Sequence, residues 1–388
     1  TPLAFAFLVS LTLQVEASAF LVCESLTGRR RSLEFKQRKM VHMNQGEGDT
    51  SYARNCGIQN AEQNRMKPLI EAAVVDLCTS TSLPRNMVIT DLGCSSGSNA
   101  LVLVSVAIEA IKSYCIQLQK NPPEMCVFLN DLPNNDFTMV IKNLVTLRQG
   151  NEPFVVTGVT PGSFYERLFT SGSLHLVCSS SSLHWLSKAP EVLTMNHIPA
   201  YNIDEHARRE MLPMILEAYA QQFRNDFTHF LKLRAKELLS GGRMVISITG
   251  RHSDGFSSKL FHIWETIVQI LSVMVLEGVI DKAKFDSFYM PMYGPSSEEF
   301  RDIIQEEGSF VIKEMLVRDF TSDADSALFA PKMFMCHMRA VFEPIIVQHF
   351  GEVMEEFTRT AERQWRVDGI LMDQLGRLAW LCVSLTKA

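Results

Sequence analysis

Two aspartates, each closing a short apolar run, are the residues of this chain whose types and spacing suit the holding of a ligand. Asp91 opens the stretch Asp91-Leu92-Gly93-Cys94-Ser95-Ser96-Gly97, and Asp131 follows Met125–Leu129 and Asn130. Glycines at 93 and 97 let a backbone approach a ligand closely. Their spacing is GxxxG, not the GxGxxG of dinucleotide sites, and no basic side chain waits there for a phosphate. Asp131 is placed to accept hydrogen bonds from ribose hydroxyls. Together they suggest a nucleoside ligand without a pyrophosphate, such as S-adenosylmethionine. The same residues would also serve as a tight turn and two helix caps, and their spacing leaves both readings open. The run Ser179–Ser182 beside His184 has the residue types of nucleophilic chemistry, but no glycine elbow surrounds it.

These residues are useful only if the chain brings them together, and the pattern says how. Short strands are expected at Asn86–Leu92, Met125–Leu129, Phe154–Val159, Leu174–Cys178 and Met244–Ile248. Two more, Phe310–Val317 and Leu378–Leu385, should pair near the C-terminus. Between the first strands, Val104, Ala107, Ile108 and Ile111 fall at helical spacing, as do Phe137, Val140, Ile141 and Leu144. A long helix over about Glu217–Leu239 carries Phe223, Phe227, Phe230 and Leu238 on one side, with Gly241-Gly242 as its cap. The alternation predicts an α/β fold, a mostly parallel sheet with helices on both faces. Ligands on such sheets bind beyond the carboxyl ends of the strands, where Asp91 and Asp131 stand.

Composition narrows the partners. The chain has 388 residues, 46% hydrophobic and 21% charged, with a net charge of −6. This excludes a disordered chain, a collagen and a polytopic membrane protein. An acidic chain has no basic excess for a phosphate backbone, so nucleic acid is not an expected partner. Nine scattered cysteines without a CxxC pair or zinc spacing read as reduced thiols of a cytoplasmic protein. The first forty residues differ from the rest. The apolar run Leu3–Leu13 followed by Ala17-Ser18-Ala19 has the look of a signal peptide. No basic segment precedes it, however, and Glu16 interrupts it before the ~20 residues a span needs. Arg29–Lys39 reads as a solvated basic tail. The expectation is an extension over 1–40 outside the fold, with Met40 or Met43 as a natural start, and one domain over 41–388.

Several blocks in order give the chain a wider likeness. They are His42-Met43-Asn44 with Gly48 and Thr50-Ser51-Tyr52-Ala53; Asp91 through Gly97 with Asn99; Leu129-Asn130-Asp131-Leu132-Pro133 with Asn135-Asp136-Phe137; and Pro161-Gly162-Ser163-Phe164-Tyr165. Ser179 through Ser187, Gly241 through Val245, and Arg339-Ala340-Val341 with Glu343-Pro344 complete the set. With these blocks the chain resembles the plant SABATH family of S-adenosylmethionine-dependent carboxyl methyltransferases. Its substrates include salicylate, benzoate, jasmonate and indole-3-acetate, and some members methylate purine nitrogens. The resemblance runs from about residue 41 to the end. It implies a seven-stranded Rossmann-like class I methyltransferase sheet with a helical cap, mainly from about 200–235 and 255–345.

The resemblance also implies roles. Tyr52, Asp91, Cys94, Asn99, Asp131, Leu132, Ser163 and Phe164 match positions around S-adenosylmethionine. Gln59 and Trp185 match the pair that holds the substrate carboxylate, with His184 beside them. Ile263 and Trp264 match the acyl pocket, and Ser181 a wall position that is Tyr in many salicylate-type members and Ser in jasmonate-type ones. A magnesium ion is implied near Asn196, Asp286 and Phe288, where Tyr289 replaces a common Asn, and a homodimer is implied as well. Ser98 and Cys56 depart from a usual Pro and Ser without changing charge. The expected reaction joins a methyl group to the carboxylate of a small plant acid. A carboxylate is already ionised at neutral pH and needs no general base. The alternatives are N-methylation of a purine and a silent small-acid binder.

Overall fold

The computed structural model describes residues 42–80, 83–147, 154–251, 262–319, 327–368 and 378–388. The extension expected over 1–40, with its signal-like run, lies outside the described residues.

The strands are β1 (Asn86–Leu92), β2 (Glu124–Asp131), β3 (Val155–Pro161), β4 (Leu174–Ser180), β5 (Leu238–Arg251), β6 (Phe310–Asp319) and β7 (Leu378–Lys387). They form one seven-stranded sheet in the order β3-β2-β1-β4-β5-β7-β6. β1, β2, β3, β4 and β5 pair in parallel, while β7 runs antiparallel to both neighbours. The two C-terminal strands therefore pair as the sequence suggested. The order reverses between β1 and β4, which opens a crevice at their carboxyl ends.

The helices are α1 (Tyr52–Asn55), α2 (Gly57–Ser80), α3 (Val102–Gln117), α4 (Phe137–Leu147), α5 (Glu191–Met195), α6 (Glu205–Glu237), α7 (His262–Leu276), α8 (Lys282–Asp286), α9 (Ser297–Glu307), α10 (Pro331–Phe350) and α11 (Met354–Asp368). In α2, Met66, Leu69, Ile70, Ala73, Val74 and Leu77 make one buried stripe at helical spacing. Residues Ser98–Gln117 are long and apolar enough to cross a membrane by length and composition. Here Leu103, Val104, Ala107, Ile108 and Ile111 are buried in the core instead.

Some sequence expectations shift. Val140 and Leu144 of α4 are buried, but Ile141 is half exposed, because the helix shows a narrower face to β3 than its four apolar residues suggested. α6 begins at Glu205, where Asp204 caps it by accepting the N–H of Ala207 at 2.8 Å. It ends at Glu237, and Gly241 and Gly242 lie within β5 and do not cap it. The ending is set by backbone pairing, since Leu238 already pairs with Leu174 of β4.

Candidate active site

β1 and β2 run side by side in register, Asp91 beside Leu129, so both aspartates emerge at one edge of the crevice. Asp91 is 1% exposed, and its Oδ1 is buried without a hydrogen-bond partner. Burial pushes its carboxyl up to about 8, and the neighbouring Asp131 charge adds to the shift. Burial also raises Asp131, to about 6, against the pull of two backbone N–H groups. Those come from Ser95, 2.6 Å from Oδ2, and Leu132, 2.8 Å from Oδ1. Each oxygen keeps a lone pair for a further donor. No Lys or Arg among the described residues is among the groups that shift either carboxyl.

The turn after β1 is shaped so that nothing else fits. Gly93 has φ +81°, and a Cβ there would lie 2.3 Å from Ser182 Oγ and 3.5 Å from the Phe164 ring. Gly97 has φ +93°, and a Cβ would meet Ala53 at 2.9 Å. The N–H groups of Gly93 and Cys94 both donate to the carbonyl of Asn130 at 2.9 Å, which ties the turn to β2. The buried Cys94 thiol is pushed well up by burial and by the two aspartates. Tyr52, also buried, has its hydroxyl pushed well up, first by burial and then by the charges of Cys56, Asp131, Asp91 and Cys94. Asn99 spends its amide on protein: Nδ2 donates to the Cys56 carbonyl at 3.0 Å, and Oδ1 accepts from Asn60 at 2.9 Å. It holds the 3-10 turn Ser98–Leu101 against α2.

The loop beyond β3 brings Ser163 and Phe164. Ser163 Oγ accepts the N–H of Tyr165 at 3.1 Å. A fully buried ion pair, Arg234–Glu237 at 2.8 Å on α6, clamps this loop. Arg234 donates to the carbonyls of Phe164 and Glu166 at 2.9 Å, and Glu237 accepts the N–H groups of Leu168 and Phe169 at 2.8 and 3.1 Å. Phe164 packs edge-on against Tyr165 at 4.7 Å and Phe230 at 6.2 Å. Truncating Glu237 would leave Arg234 buried without its carboxylate, a loss of ~3–5 kcal/mol, whereas Glu237 has a second cation in Arg167 at 3.4 Å.

Beyond β4 the chain turns through Ser181 (φ +54°) and Ser182. Ser181 donates its N–H to the Ser247 carbonyl at 2.9 Å, and Ser182 Oγ donates to Gly93 O at 3.0 Å. Trp185 is fixed by its backbone. Its N–H donates to Ser182 O at 3.0 Å, its carbonyl accepts the Tyr165 hydroxyl at 2.9 Å, and it bridges to Met292. Its ring lies 5.8 Å from His184 and 5.8 Å from Phe342. Burial drives His184 down to about 3, so the ring is neutral at physiological pH. Gln59 stands on the first turn of α2 with Oε1 buried and unpartnered. Trp264 is buried on α7 with its ring 6.2 Å from those of Tyr201 and Tyr219. The side chain of Ile263 lies outside the described residues.

The residues expected to hold magnesium do not suit it. The Asp286 carboxylate pairs with Lys282 Nζ at 2.6 Å, exposed Asn196 donates its amide to Val192 O at 2.7 Å, and Phe288 is packed against His349 and Phe350. Magnesium wants several oxygens in an octahedron, and the one carboxylate of the set already has a cation. No group of three or more His, Cys, Asp or Glu poised for a metal occurs among the described residues.

Sequence reasoning assigned no role to Ser182, Asn130 or Tyr165, which build the site indirectly. Asn130 Nδ2 donates to the Thr160 and Gly162 carbonyls at 2.7 and 2.9 Å, joining β2 to the turn after β3. Asn130 and Tyr165 lie within the matching blocks, but their partners are distant in sequence.

The comparisons agree with this geometry. The model of the SAM-dependent carboxyl methyltransferase family matches residues 38–388. A probable jasmonic acid carboxyl methyltransferase of Theobroma cacao is 38% identical over 347 residues, taking in 84% of this chain and 92% of the relative. The salicylate carboxymethyltransferase of Clarkia breweri is 38% identical over 330 residues, with 82% and 90% covered. Among solved structures, a loganic acid methyltransferase with SAH superposes with a TM-score of 0.77 at 27% identity, covering 89% of this chain and 98% of that one.

Proposed function

The chain belongs to the S-adenosylmethionine-dependent carboxyl methyltransferase family, and from that premise we propose that it methylates the carboxylate of a small plant acid, of jasmonate, salicylate, benzoate or indole-3-acetate type, with the site residues acting as follows. The observation that carries the assignment of the cofactor site is the pair Asp91 and Asp131. They are buried carboxyls on adjacent strand ends, beside a turn at Gly93 that has no room for a Cβ. Such a pocket suits a ligand that is cationic at one end and carries ribose hydroxyls at the other. S-adenosylmethionine fits it, and when bound it supplies an electrophilic methyl group on a positively charged sulfur.

The protein's part is to bind, orient and exclude water. Asp131 accepts from the ribose hydroxyls with the lone pairs that Ser95 and Leu132 leave open. Asp91 offers its unpartnered oxygen to the cationic portion of the cofactor. Tyr52, Cys94, Leu132, Ser163 and Phe164 wall the cofactor, and Asn99 acts through the turn it holds. Gln59 and Trp185 aim the carboxylate, while Ser181, His184, Ile263 and Trp264 line the space beyond. Opposite charges neutralise each other during transfer, so a site that strips water from the carboxylate eases the reaction. Positioning supplies much of the rest, ~7–11 kcal/mol in well-oriented intramolecular cases. Neutral His184 and the serine run are given no acid–base role.

In this reading α6 through α10 supply a cap over the crevice, 41–388 form the catalytic domain, and 1–40 contribute nothing to turnover. A chain begun at Met40 should keep its activity, and a large loss would contradict this. Localisation in the cytoplasm and a homodimer belong to the same reading, the first checked by fractionation and the second by sedimentation.

Kinetics of Gln59→Ala test the carboxylate assignment. Losing one donor to the substrate should lower kcat/KM by about 5–150-fold, ~1–3 kcal/mol. Cofactor affinity should stay within twofold. Unchanged kcat/KM would remove Gln59 from the site.

A further inference from the structure

A buried carboxyl group lies between α2 and the sheet, outside the site described above. Glu62 is 0% exposed and stands three residues after Gln59 on the same helix. Its Oε1 accepts the Ser247 hydroxyl of β5 at 2.6 Å and the Cys382 thiol of β7 at 2.9 Å, and both partners are buried. Its Oε2 is buried without a hydrogen-bond partner, with Arg65 Nη1 at 3.7 Å. Burial raises the carboxyl above its ordinary range, against the pull of Cys382, Ser247, Arg65 and Arg318. Burying such a group is costly unless it is well partnered, and neither cofactor nor substrate binding accounts for it.

What it adds to α2 is direction. The rest of the buried face is the apolar stripe Met66, Leu69, Ile70, Ala73, Val74 and Leu77. Apolar burial is non-directional, whereas a hydrogen bond prefers one length and angle. The carboxyl therefore pins the N-terminal part of α2 to the sheet. Gln59 stands one turn earlier, about 4.5 Å along the axis. The strand side of the pin leads towards Trp185. The Ser247 carbonyl accepts the N–H of Ser181, the residue at φ +54°, at 2.9 Å. The Ser182 carbonyl then accepts the N–H of Trp185 at 3.0 Å. Glu62 is thus joined to Gln59 by one helical turn, and to Trp185 by way of Ser247 and the Ser181 turn.

We infer that Glu62 is a positioning residue, whose hydrogen bonds to Ser247 and Cys382 set α2 against β5 so that Gln59 and Trp185 meet the same carboxylate. This rests on the proposed assignment of the carboxylate to Gln59 and Trp185. Glu62 acts on the acid only through the placement of Gln59.

The test is a double-mutant cycle on the full chain. It reads kcat/KM for whichever of jasmonate, salicylate, benzoate or indole-3-acetate is methylated. Glu62→Met fills the space and removes the acceptor. It should lower kcat/KM by about threefold or more, with S-adenosylmethionine affinity held within about twofold. Glu62→Gln keeps Oε1 as an acceptor and should stay within about twofold of the unmodified enzyme. In a Gln59→Ala background, Glu62→Met should cost less than about twofold, because no amide is left to be placed. A residue needed for stability alone would lower activity in both backgrounds alike. Losses that multiply, or a Glu62→Met enzyme with undiminished kcat/KM, would overturn the inference. If Glu62→Met does not fold, Ser247→Ala removes the shorter bond from the strand side and is read in the same cycle. Unchanged kcat/KM in Gln59→Ala alone would overturn the carboxylate assignment and this inference with it. Failure of every acid to yield a methyl ester would overturn the proposed function itself, so the failures are distinguishable.

Discussion

The carboxylate of Asp131, at the end of β2, accepts the backbone N–H of Ser95 at 2.6 Å and so fixes the turn that follows β1. Ser95 is a non-glycine residue at φ +54°. Such a conformation costs ~1–3 kcal/mol and persists only where its surroundings hold it. The residue that would accept from a ribose therefore also stiffens the turn on which the cofactor would rest.

Asp131→Ala removes both functions. Binding of S-adenosylmethionine, measured by calorimetry, should weaken by ~1–3 kcal/mol, at least several-fold. Equal affinity in the variant would show that the ribose is held elsewhere.

Cofactor affinity should depend on pH. The ordinary Asp value is 3.8, and the folded protein raises Asp91 to about 8. In the free protein this group is therefore mostly protonated at pH 7. A cation bound beside it favours the ionised form, so binding releases a proton, and affinity should rise with pH up to about 8 and level off above. Without cofactor the sign for stability is the reverse. A carboxyl raised on folding contributes stability that is full below 3.8 and is lost as pH climbs through 8. Calorimetry in buffers of different ionisation enthalpy reads the proton directly. Uptake, or no exchange between pH 6 and 8, would place the cation away from Asp91.

Gly93→Ala should abolish cofactor binding in a chain that still folds. The added Cβ would sit 2.3 Å from Ser182 Oγ and 2.5 Å from Ser182 Cβ at a φ of +81°. Strain and overpacking each cost ~1–3 kcal/mol. Trimming the neighbour to alanine leaves its Cβ in place, so Gly93→Ala with Ser182→Ala should not recover binding. Recovery in the double variant would mean that the hydroxyl alone made the clash.

Turnover should survive exhaustive chelation. Asp286 is paired with Lys282, and the remaining members of the expected magnesium set offer an amide and a backbone carbonyl. A loss of more than about tenfold, restored by magnesium, would show ligands other than these, since a cation site needs several converging oxygens.

The strand ends were legible in the sequence because parallel sheets bury apolar runs that give way to polar residues at the crevice, as Thr90-Asp91 and Asn130-Asp131 do. The buried positions of α3 followed from spacing alone. The contacts between distant residues were not legible. The Asn44 amide donates to Glu343 Oε2 at 2.8 Å and to Arg339 O at 3.2 Å, which explains why two matching blocks some 300 residues apart belong together. Composition carries no trace of such a pair. Nor could spacing show that Arg234 and Glu237 turn inward to hold the Phe164 loop, since charged residues on a helix are usually solvated. The end of α6 was misplaced for a related reason. Gly241-Gly242 is an ordinary helix stop, but pairing with β4 takes the chain over at Leu238.

The most direct test of the account is a reaction of the purified full chain with S-adenosylmethionine carrying an isotopically labelled methyl group. It is run separately with jasmonate, salicylate, benzoate, indole-3-acetate and xanthosine, and the products are identified by mass spectrometry. The account predicts a labelled methyl ester from at least one of the acids, lost on mild alkaline hydrolysis, and no methylated xanthosine. Label on a purine nitrogen with no ester from any acid, or tight cofactor and acid binding with no transfer at all, would contradict it.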